Sequence, residues 1–165
     1  MFVLGVDPGV SRCGYGCVQS ERGQTRAIAV GVLTTPPSDP PPQRLAALDA
    51  DIRALLDELK PDAVAVERLF FQVNVRTAMS VGQASGLVLA AAAGAGCDVV
   101  QYTPGQVKQA VAGYGAAGKD QVQRMVQSLL GLPEVPRPPD AADALALALC
   151  HVAAAPLQKR VEAAK

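Results

Sequence analysis

Two apolar segments that each end in an acidic residue constrain the fold of this chain more than any other feature. Residues 2–7 read FVLGVD, and residues 63–66 read AVAV with Glu67 directly after them. Runs of this kind, apolar on both faces, are typical of central strands in a covered sheet. Ligands bind just beyond the carboxyl ends of parallel strands in open α/β sheets. If the two strands are parallel neighbours, Asp7 and Glu67 lie together at that edge.

The remaining pattern predicts a single mixed α/β domain. Its predicted order is βββαβαβααα, without internal repeats and without a linker long enough to divide domains. We therefore predict a mixed five-stranded sheet flanked by helices over residues 1–154, and a flexible C-terminal tail over residues 155–165. The strands are predicted at residues 2–7, 14–20, 26–34, 63–66 and 98–102, and the helices near residues 45–59, 75–95, 104–111, 119–130 and from 140 onward. Two proline-rich stretches, 34–43 and 133–139, are predicted as loops.

Composition excludes several classes of protein. No apolar run reaches the roughly 18 residues that a membrane-spanning helix needs. Because the first residues have the pattern of a strand, we expect no signal peptide. The four cysteines lack the spacing of a zinc site, and the single histidine, His151, adjoins Cys150 without a second ligand nearby. We expect small buried thiols in a cytoplasmic protein.

The last predicted helix carries two acids on one face. Asp140 and Asp143 are three residues apart, and that face is otherwise alanine, including Ala144 and Ala148. Small residues let a helix approach a sheet closely. Taken alone, Asp140 is better explained as a helix N-cap, and Asp143 as a first-turn acid favoured by the helix dipole.

All four carboxylates together are harder to explain without a cation. Asp7 alone could initiate a turn at Pro8-Gly9, whereas Glu67 is poorly suited to a turn or a cap. Converging carboxylates repel and desolvate one another unless cations compensate. Mg²⁺ prefers oxygen ligands, and two such ions can clamp the attacking and leaving oxygens of a phosphoryl displacement. The constellation predicts metal-dependent phosphodiester chemistry.

Five motifs in order resemble one known family. Over about residues 1–153 the chain is similar to RuvC, the bacterial Holliday junction resolvases of the ribonuclease H-like superfamily. The motifs are GVDPGVSRCGYG, VERLFFQVN, SVGQASGLVLAAA, PGQVKQAVAGYGAAGKDQVQRMV and PPDAADALALALCH. The resemblance implies a ribonuclease H-like fold and a structure-specific endodeoxyribonuclease of DNA recombination and repair.

The resemblance also implies a catalytic site. The family's acidic tetrad falls on Asp7, Glu67, Asp140 and Asp143, which would hold two Mg²⁺ ions, with Mn²⁺ expected to substitute. Some members carry His at the position of Asp140, so this chain is expected to have an all-oxygen site. A water ionised by metal would attack the scissile phosphate in line and leave a 5′-phosphate and a 3′-hydroxyl.

Other implications of the resemblance concern partners. A homodimer would nick symmetry-related strands of a four-way junction, in contact with the RuvA/RuvB branch-migration complex. The protein would act in the bacterial cytoplasm, associated with the nucleoid.

Basic and aromatic residues complete the predicted site. Lys119 begins a predicted helix, where the dipole disfavours a cation, so it is either a catalytic phosphate contact or an ordinary solvated lysine. The family pattern makes Lys108 a DNA contact and Phe70 a base-stacking residue. Arg76 and Arg124 are generic candidates for phosphate contacts.

A stripe of small residues lies on the long predicted helix and includes Gly82, Gly86 and Ala90. It either packs on the sheet of its own subunit or, as the resemblance implies, contributes to a dimer interface.

The neutral net charge argues only superficially against a nucleic-acid partner. The chain has 15 acidic and 15 basic residues, and setting the four predicted ligands aside leaves 11 acids. Five of those lie on or just after the first predicted helix, whereas residues 68–137 carry six bases and three acids. Two alternatives stay open: another ribonuclease H-like nuclease, acting on RNA–DNA hybrid or other branched substrates, and a non-catalytic junction-binding protein. An actin-like ATPase is excluded because 165 residues cannot hold its two domains.

Overall fold

A computed structural model describes residues 1–68 and 75–163, with the side chains of 75–77 and 157–163 left outside the description. Its elements follow the predicted order. They are β1 (Phe2–Asp7), β2 (Arg12–Glu21), β3 (Gln24–Thr34), α1 (Pro41–Leu59), β4 (Ala63–Glu67), α2 (Val75–Gly94), β5 (Asp98–Tyr102), α3 (Pro104–Ala112), α4 (Lys119–Leu130) and α5 (Pro139–Ala163).

The strands form one mixed sheet in the order β3-β2-β1-β4-β5. β1, β2 and β3 pair antiparallel, and β4 runs parallel to both β1 and β5. Arg22 and Gly23 adopt positive φ in the β2–β3 turn, which is the geometry of a two-residue hairpin. The predicted five-stranded mixed sheet is confirmed.

Helices cover both faces of the sheet. Apolar side chains of α1 and α2 pack with Leu4, Val6 and other residues on one face of the sheet. Side chains of α3, α4 and α5 pack with Val3 and Ala65 on the other face. This alternation along β1 and β4 follows from the two-residue period of a strand, and it directs Asp7 and Glu67 toward the face that α5 covers.

The largest differences from the predicted boundaries are at the start of α1 and the end of α5. α1 begins at Pro41, inside the predicted loop 34–43, because proline at the first helical positions lacks only an N–H that the helix does not use there. α5 continues to Ala163, with Pro156 inside it, past the predicted boundary at residue 155. The division into a domain and a flexible tail stays a prediction. Across the described residues, no helix is long and apolar enough to cross a membrane.

Candidate active site

Asp7 and Glu67 lie at the same edge of the sheet. β1 and β4 pair parallel up to Val6 and Val66, so the two acids that follow are neighbours. The predicted parallel arrangement of these strands is therefore correct. Both carboxylates extend from the carboxyl ends of their strands, where ligands of α/β sheets usually bind.

The first turn of α5 brings Asp140 and Asp143 to this edge because glycines leave space for the helix. A Cβ added at Gly14 of β2 would overlap the carbonyl oxygen of Asp140, and one added at Gly5 of β1 would overlap that of Ala144. Glycine inside a strand often marks such a close approach of backbone. The helix thus rests directly on the strand backbone.

An open cavity of about 240 Å³ forms between the sheet edge, α3, α4 and α5. Three carboxylates and two lysines line it, together with apolar residues: Asp7, Glu67, Asp143, Lys108 and Lys119. Asp140 is not among its lining residues, although its charge reaches Asp7. The structure thus gathers four of the predicted catalytic and binding residues around one space, with Lys108 as a fifth.

Burial and mutual repulsion perturb the two strand-end carboxylates. Burial, followed by the charges of Glu67, Asp143 and Asp140, raises the pKa of Asp7 to about 7. The pKa of Glu67 is also raised, mainly by burial and then by Asp143. Lys119 partly offsets both shifts. The site therefore has an excess of negative charge that favours a bound cation.

Lys119 crosses the cavity to Asp143. It is the first residue of α4, and its Nζ lies 2.7 Å from Asp143 Oδ2, with 60% of the lysine side chain exposed. The hydrogen bond with Asp143 raises the pKa of Lys119. The carboxylate thus compensates a cation that the dipole of α4 disfavours.

Arg12, which the sequence analysis did not single out, binds the fourth carboxylate. Its Nε and Nη2 donate to Asp140 Oδ2 at 3.0 and 2.9 Å. Arg12 is the first residue of β2, five positions after Asp7. Asp140 and Asp143 are therefore each paired with a cation from another element.

The loop between Asp7 and Arg12 is fixed by residues beyond it. The buried Thr35 donates its hydroxyl hydrogen to the carbonyl oxygen of Val10 at 2.6 Å. Arg44 of α1 donates to Thr35 Oγ1 at 2.9 Å and to Ser11 Oγ at 2.6 Å. An arginine on an otherwise acidic helix thereby holds the loop that joins the two strands of the site.

The donor set suits a hard divalent cation, although the side chains are not arranged around one. Among the described residues, no group of three or more His, Cys, Asp or Glu side chains is placed to hold an ion. Asp140 and Asp143 are drawn instead to Arg12 and Lys119. Carboxylate oxygens are nevertheless the ligands that Mg²⁺ prefers, and the buried charge of Asp7 lacks a full counter-ion. The residues therefore fit such an ion once these pairs open.

The structure describes the other three predicted DNA contacts only in part. Arg124 is exposed on α4. Arg76 lies in the first turn of α2, but its side chain is outside the description, and Phe70 lies outside the described residues altogether. These three residues stay predictions as DNA contacts.

The small-residue stripe of α2 points away from the sheet. Gly86 and Ala90 are exposed, Gly82 is half-buried, and a Cβ added at either glycine would meet no atom within 4 Å. The sheet-facing side of α2 is formed instead by Ala84 and Val88. Packing of the stripe on its own sheet is therefore excluded.

The cysteines behave as core residues. Cys13, Cys17 and Cys150 are buried free thiols, and burial raises the pKa of each, to about 11, 12 and 11. His151 is buried too, with its Nδ1 2.8 Å from the hydroxyl oxygen of Tyr102, which anchors α5 to β5. Burial therefore favours the neutral thiol at each of these three positions, as is usual for cysteines packed in a core.

One local signal in the sequence indicates how closely α5 approaches the sheet, but none indicates the ion pairs of the site. Glycine inside strands, at Gly5 and Gly14, indicates a close approach of another element. The pairing partners of Arg12 and Arg44 have no such signal, because each depends on the distance between elements far apart in sequence.

Known proteins match this chain over nearly its whole length. The family described as "Crossover junction endodeoxyribonuclease RuvC" matches residues 3–151. The protein of that name from Moorella thermoacetica is 54% identical over 160 residues, covering 97% of this chain and 96% of the relative. Its counterpart from Chloroflexus aggregans is 53% identical over 160 residues, covering 97% and 98%. A solved structure described as Thermus thermophilus RuvC in complex with Holliday junction substrate superposes with a TM-score of 0.91, at 43% identity and 96% coverage of both chains.

Proposed function

This chain belongs to the RuvC family of crossover junction endodeoxyribonucleases, and we propose that Asp7, Glu67, Asp140 and Asp143 form the catalytic centre with which it resolves Holliday junctions. The observation that carries the assignment is the convergence of three of these carboxylates and two lysines on one open cavity. The related protein solved with junction DNA covers this chain at 43% identity, which supports the substrate.

The family consists of metal-dependent nucleases, and the proposed ions are two Mg²⁺, for which Mn²⁺ substitutes. Asp7, Glu67, Asp140 and Asp143 would hold them through carboxylate oxygens. When bound, such ions supply positive charge that ionises an attacking water and offsets the charge developing on the phosphate. The raised pKa of Asp7 supports this role, because a buried carboxylate near others gains most from a cation.

The chain's own residues position the phosphodiester for in-line cleavage. Apolar residues of α3 and α4, among them Val107 and Val122, line the cavity together with the carboxylates. Lys119 stands opposite Asp7 and Glu67 with its ammonium group at the cavity, where it would stabilise charge on a phosphate oxygen. The expected products are a 5′-phosphate and a 3′-hydroxyl.

Further residues extend the proposed DNA surface outward from the cavity. Lys108 lines the cavity itself, and Arg124 is exposed on the neighbouring α4. Arg76 and Phe70 are proposed as contacts to a phosphate and to an unpaired base, on the family resemblance alone. Basic residues here supply sequence-independent affinity for the DNA backbone.

The acting unit is proposed to be a homodimer joined through the outer stripe of α2. Gly82, Gly86 and Ala90 leave the helix backbone open to a second chain, which is supported by the space around the two glycines. A two-fold symmetric enzyme suits a two-fold symmetric junction, since each subunit can nick one of two equivalent strands. Contact with the RuvA/RuvB complex and action at the bacterial nucleoid are part of the same proposal.

Substrate selectivity tests the proposed function. Purified protein is incubated with labelled four-way junction, linear duplex and RNA–DNA hybrid, each with Mg²⁺ or Mn²⁺. The proposal predicts paired nicks in the junction and at least about a hundredfold slower cutting of the other substrates, a difference within the range that site geometry can produce. Equal cutting of the hybrid would favour the ribonuclease H alternative, and junction binding without cutting would favour the non-catalytic one.

A further inference from the structure

The contact between Arg12 and Asp140 occupies one of the two carboxylate oxygens that Asp140 can offer to a metal ion. Nε and Nη2 of the guanidinium both donate to Oδ2, at 3.0 and 2.9 Å. Hydrogen bonds between an ionised donor and an ionised acceptor are the stronger kind in proteins. A cation that binds Asp140 through Oδ2, or through both of its oxygens, therefore competes with the guanidinium.

The backbone of Arg12 is held by the sheet, whereas its side chain is half exposed to solvent. Arg12 pairs with Thr34 at the start of β2, and the preceding Ser11 accepts a hydrogen bond from Arg44 at 2.6 Å. The Arg12 side chain is nonetheless 50% exposed, and that of Asp140 is 31% exposed. The guanidinium can thus leave Asp140 through rotation of its own side chain, without displacement of the sheet.

The competition is consistent with the arrangement of the remaining acids. Among the described residues, no three acidic side chains are placed to hold an ion, and Asp140 and Asp143 in the first turn of α5 face basic partners instead. Asp140 is also the one tetrad member outside the cavity lining. The Arg12 contact therefore accounts for the displacement of the fourth carboxylate from the other three.

We propose that Arg12 is an internal counter-ion that competes with the divalent cation for Asp140, so that cation binding requires the guanidinium to leave. Arg12 is a positioning residue in this proposal, since it acts through Asp140. The proposal rests on the proposed function insofar as Asp140 is taken to be a metal ligand. It predicts that the DNA-free protein binds divalent cations more weakly than a variant that lacks the guanidinium.

Titration with Mn²⁺ alone, without DNA, measures this competition. Free Mn²⁺ is followed by electron paramagnetic resonance as it is added to the wild-type chain and to Arg12→Gln. We expect Arg12→Gln to bind Mn²⁺ about tenfold more tightly, the size expected for loss of a competing charge-assisted contact. Arg12→Lys keeps the charge but not the paired donors, and it should fall between the two.

Two matched variants separate the contact from a general effect of charge. Lys108→Gln removes one positive charge from the same cavity wall. Arg53→Gln breaks another Arg–Asp pair, with Asp49 on α1, in which the side chains are 56% and 29% exposed. Arg53→Gln should change the Mn²⁺ affinity by less than about threefold, because exposed charges at a distance are screened by salt. Lys108→Gln should raise the affinity by less than Arg12→Gln does, because it removes charge from the cavity without removing the contact to Asp140.

A double variant assigns the effect to Asp140. In the Asp140→Asn background, Arg12→Gln should no longer increase Mn²⁺ affinity, because the two substitutions act on one contact. Equal or weaker Mn²⁺ binding by Arg12→Gln would overturn the proposal, as would an increase that persists in Asp140→Asn or appears equally in Lys108→Gln. If Arg12→Gln does not fold, the comparison uses Arg12→Lys instead. A Mn²⁺ affinity of Arg12→Lys equal to that of the wild-type chain would then overturn the proposal.

Failure of this inference is distinguishable from failure of the proposed function. If the wild-type protein nicks junctions while Arg12→Gln leaves Mn²⁺ affinity unchanged, only the role of Arg12 is wrong. If Arg12→Gln binds Mn²⁺ more tightly but the wild-type protein cuts no junction, the function is wrong and the competition stands.

Discussion

Asp7 is the residue at which burial and function conflict most strongly. Its carboxyl group lies at the end of a buried strand beneath α5, and burial together with three nearby acids raises its pKa to about 7. A site that only stabilised the fold would gain from an amide here. The carboxylate is therefore retained at a cost to the metal-free protein, which a bound cation offsets.

The first prediction concerns the pH dependence of that cost. Because the folded-state pKa of Asp7 lies above its ordinary value of 3.8, the favourable contribution of its protonated form is complete below about pH 4 and is lost as pH rises through about 7. In a chelating buffer, the free energy of unfolding should fall by about 2 kcal/mol between pH 5 and pH 8 on account of this group.

Urea unfolding of Asp7→Asn provides the comparison. The variant should be more stable than the wild-type chain at pH 8. Its free energy of unfolding should change little between pH 5 and pH 8. Asp51→Asn, at an exposed position on α1, is the control and should keep it. If the stability of Asp7→Asn had the same pH dependence as that of the wild-type chain, the surroundings of Asp7 would not raise its pKa.

At the residue scale, sequence reasoning identified the acids but not their partners. Asp7 and Glu67 were predictable because each ends an apolar strand, and Asp140 and Asp143 because they share a helix face. The pairing of Lys119 with Asp143 was not, since it requires knowledge of the gap between α4 and α5. Long side chains that bridge elements are decided by packing, which the local sequence does not encode.

At the scale of elements, the site depends on how closely α5 rests on the sheet. Gly5 of β1 faces the backbone of α5, where an added Cβ would overlap the Ala144 carbonyl oxygen and come within 2.8 Å of the Ala148 nitrogen. Neither atom is at the end of a flexible side chain. Any side chain at Gly5 must therefore displace α5, and with it the two acids in its first turn.

The second prediction is that Gly5→Ala is destabilising and impairs cleavage. Overpacking of this kind costs roughly 1–3 kcal/mol of unfolding free energy, and junction cleavage should fall further than stability because Asp140 and Asp143 move. Chemical unfolding and a cleavage assay on the folded fraction measure the two effects.

Gly94→Ala on α2 is the matched control. A Cβ there meets no atom within 4 Å, and Gly94 is the last residue of α2, so the substitution should leave cleavage unchanged and change the unfolding free energy by less than about 1 kcal/mol. If Gly5→Ala behaves like Gly94→Ala, the helix is not seated on the strand backbone as described.

Element boundaries show where local patterns were sufficient and where they were not. The capping box at Thr103 and Gln106 starts α3 at Pro104, as the sequence predicts. The start of α1 was misplaced because its prolines were interpreted as helix breakers, although proline is compatible with the first helical turn. The same residue type therefore has opposite meanings at different helix positions.

At the scale of the whole molecule, the two faces of the sheet differ in the charge of the helices that cover them. The acidic helix α1 packs on the face opposite α3, α4 and α5, so its acids lie away from the cavity. Lys108 and Lys119 lie at the cavity, and Arg124 is on the adjoining helix. The neutral total charge is thus the sum of an acidic side and a side suited to a phosphate backbone.

The third prediction concerns assembly. Gly86 is exposed on the outer stripe of α2, so Gly86→Glu should leave the fold of one chain intact while it weakens the proposed dimer. Light scattering coupled to size exclusion should report a dimer of 17.0 kDa chains for the wild-type protein and a monomer for the variant.

Ala50→Glu, on an exposed position of α1, adds the same charge elsewhere and should stay dimeric. A wild-type monomer, or a Gly86→Glu variant as dimeric as Ala50→Glu, would contradict the proposed interface. The overall fold class was predictable from the order of strands and helices, whereas assembly was not, because a stripe of small residues suits either an internal or an external contact.

The most direct test of the central claim compares binding and cutting of a four-way junction by the wild-type chain and by Asp7→Asn, in Mg²⁺. The account predicts paired nicks by the wild-type chain, and binding by Asp7→Asn within about threefold of the wild-type affinity. It also predicts cutting by Asp7→Asn that is slower by at least about a thousandfold, equivalent to about 4 kcal/mol of transition-state stabilisation. Cutting by Asp7→Asn at the wild-type rate would contradict the claim that these carboxylates form the catalytic centre.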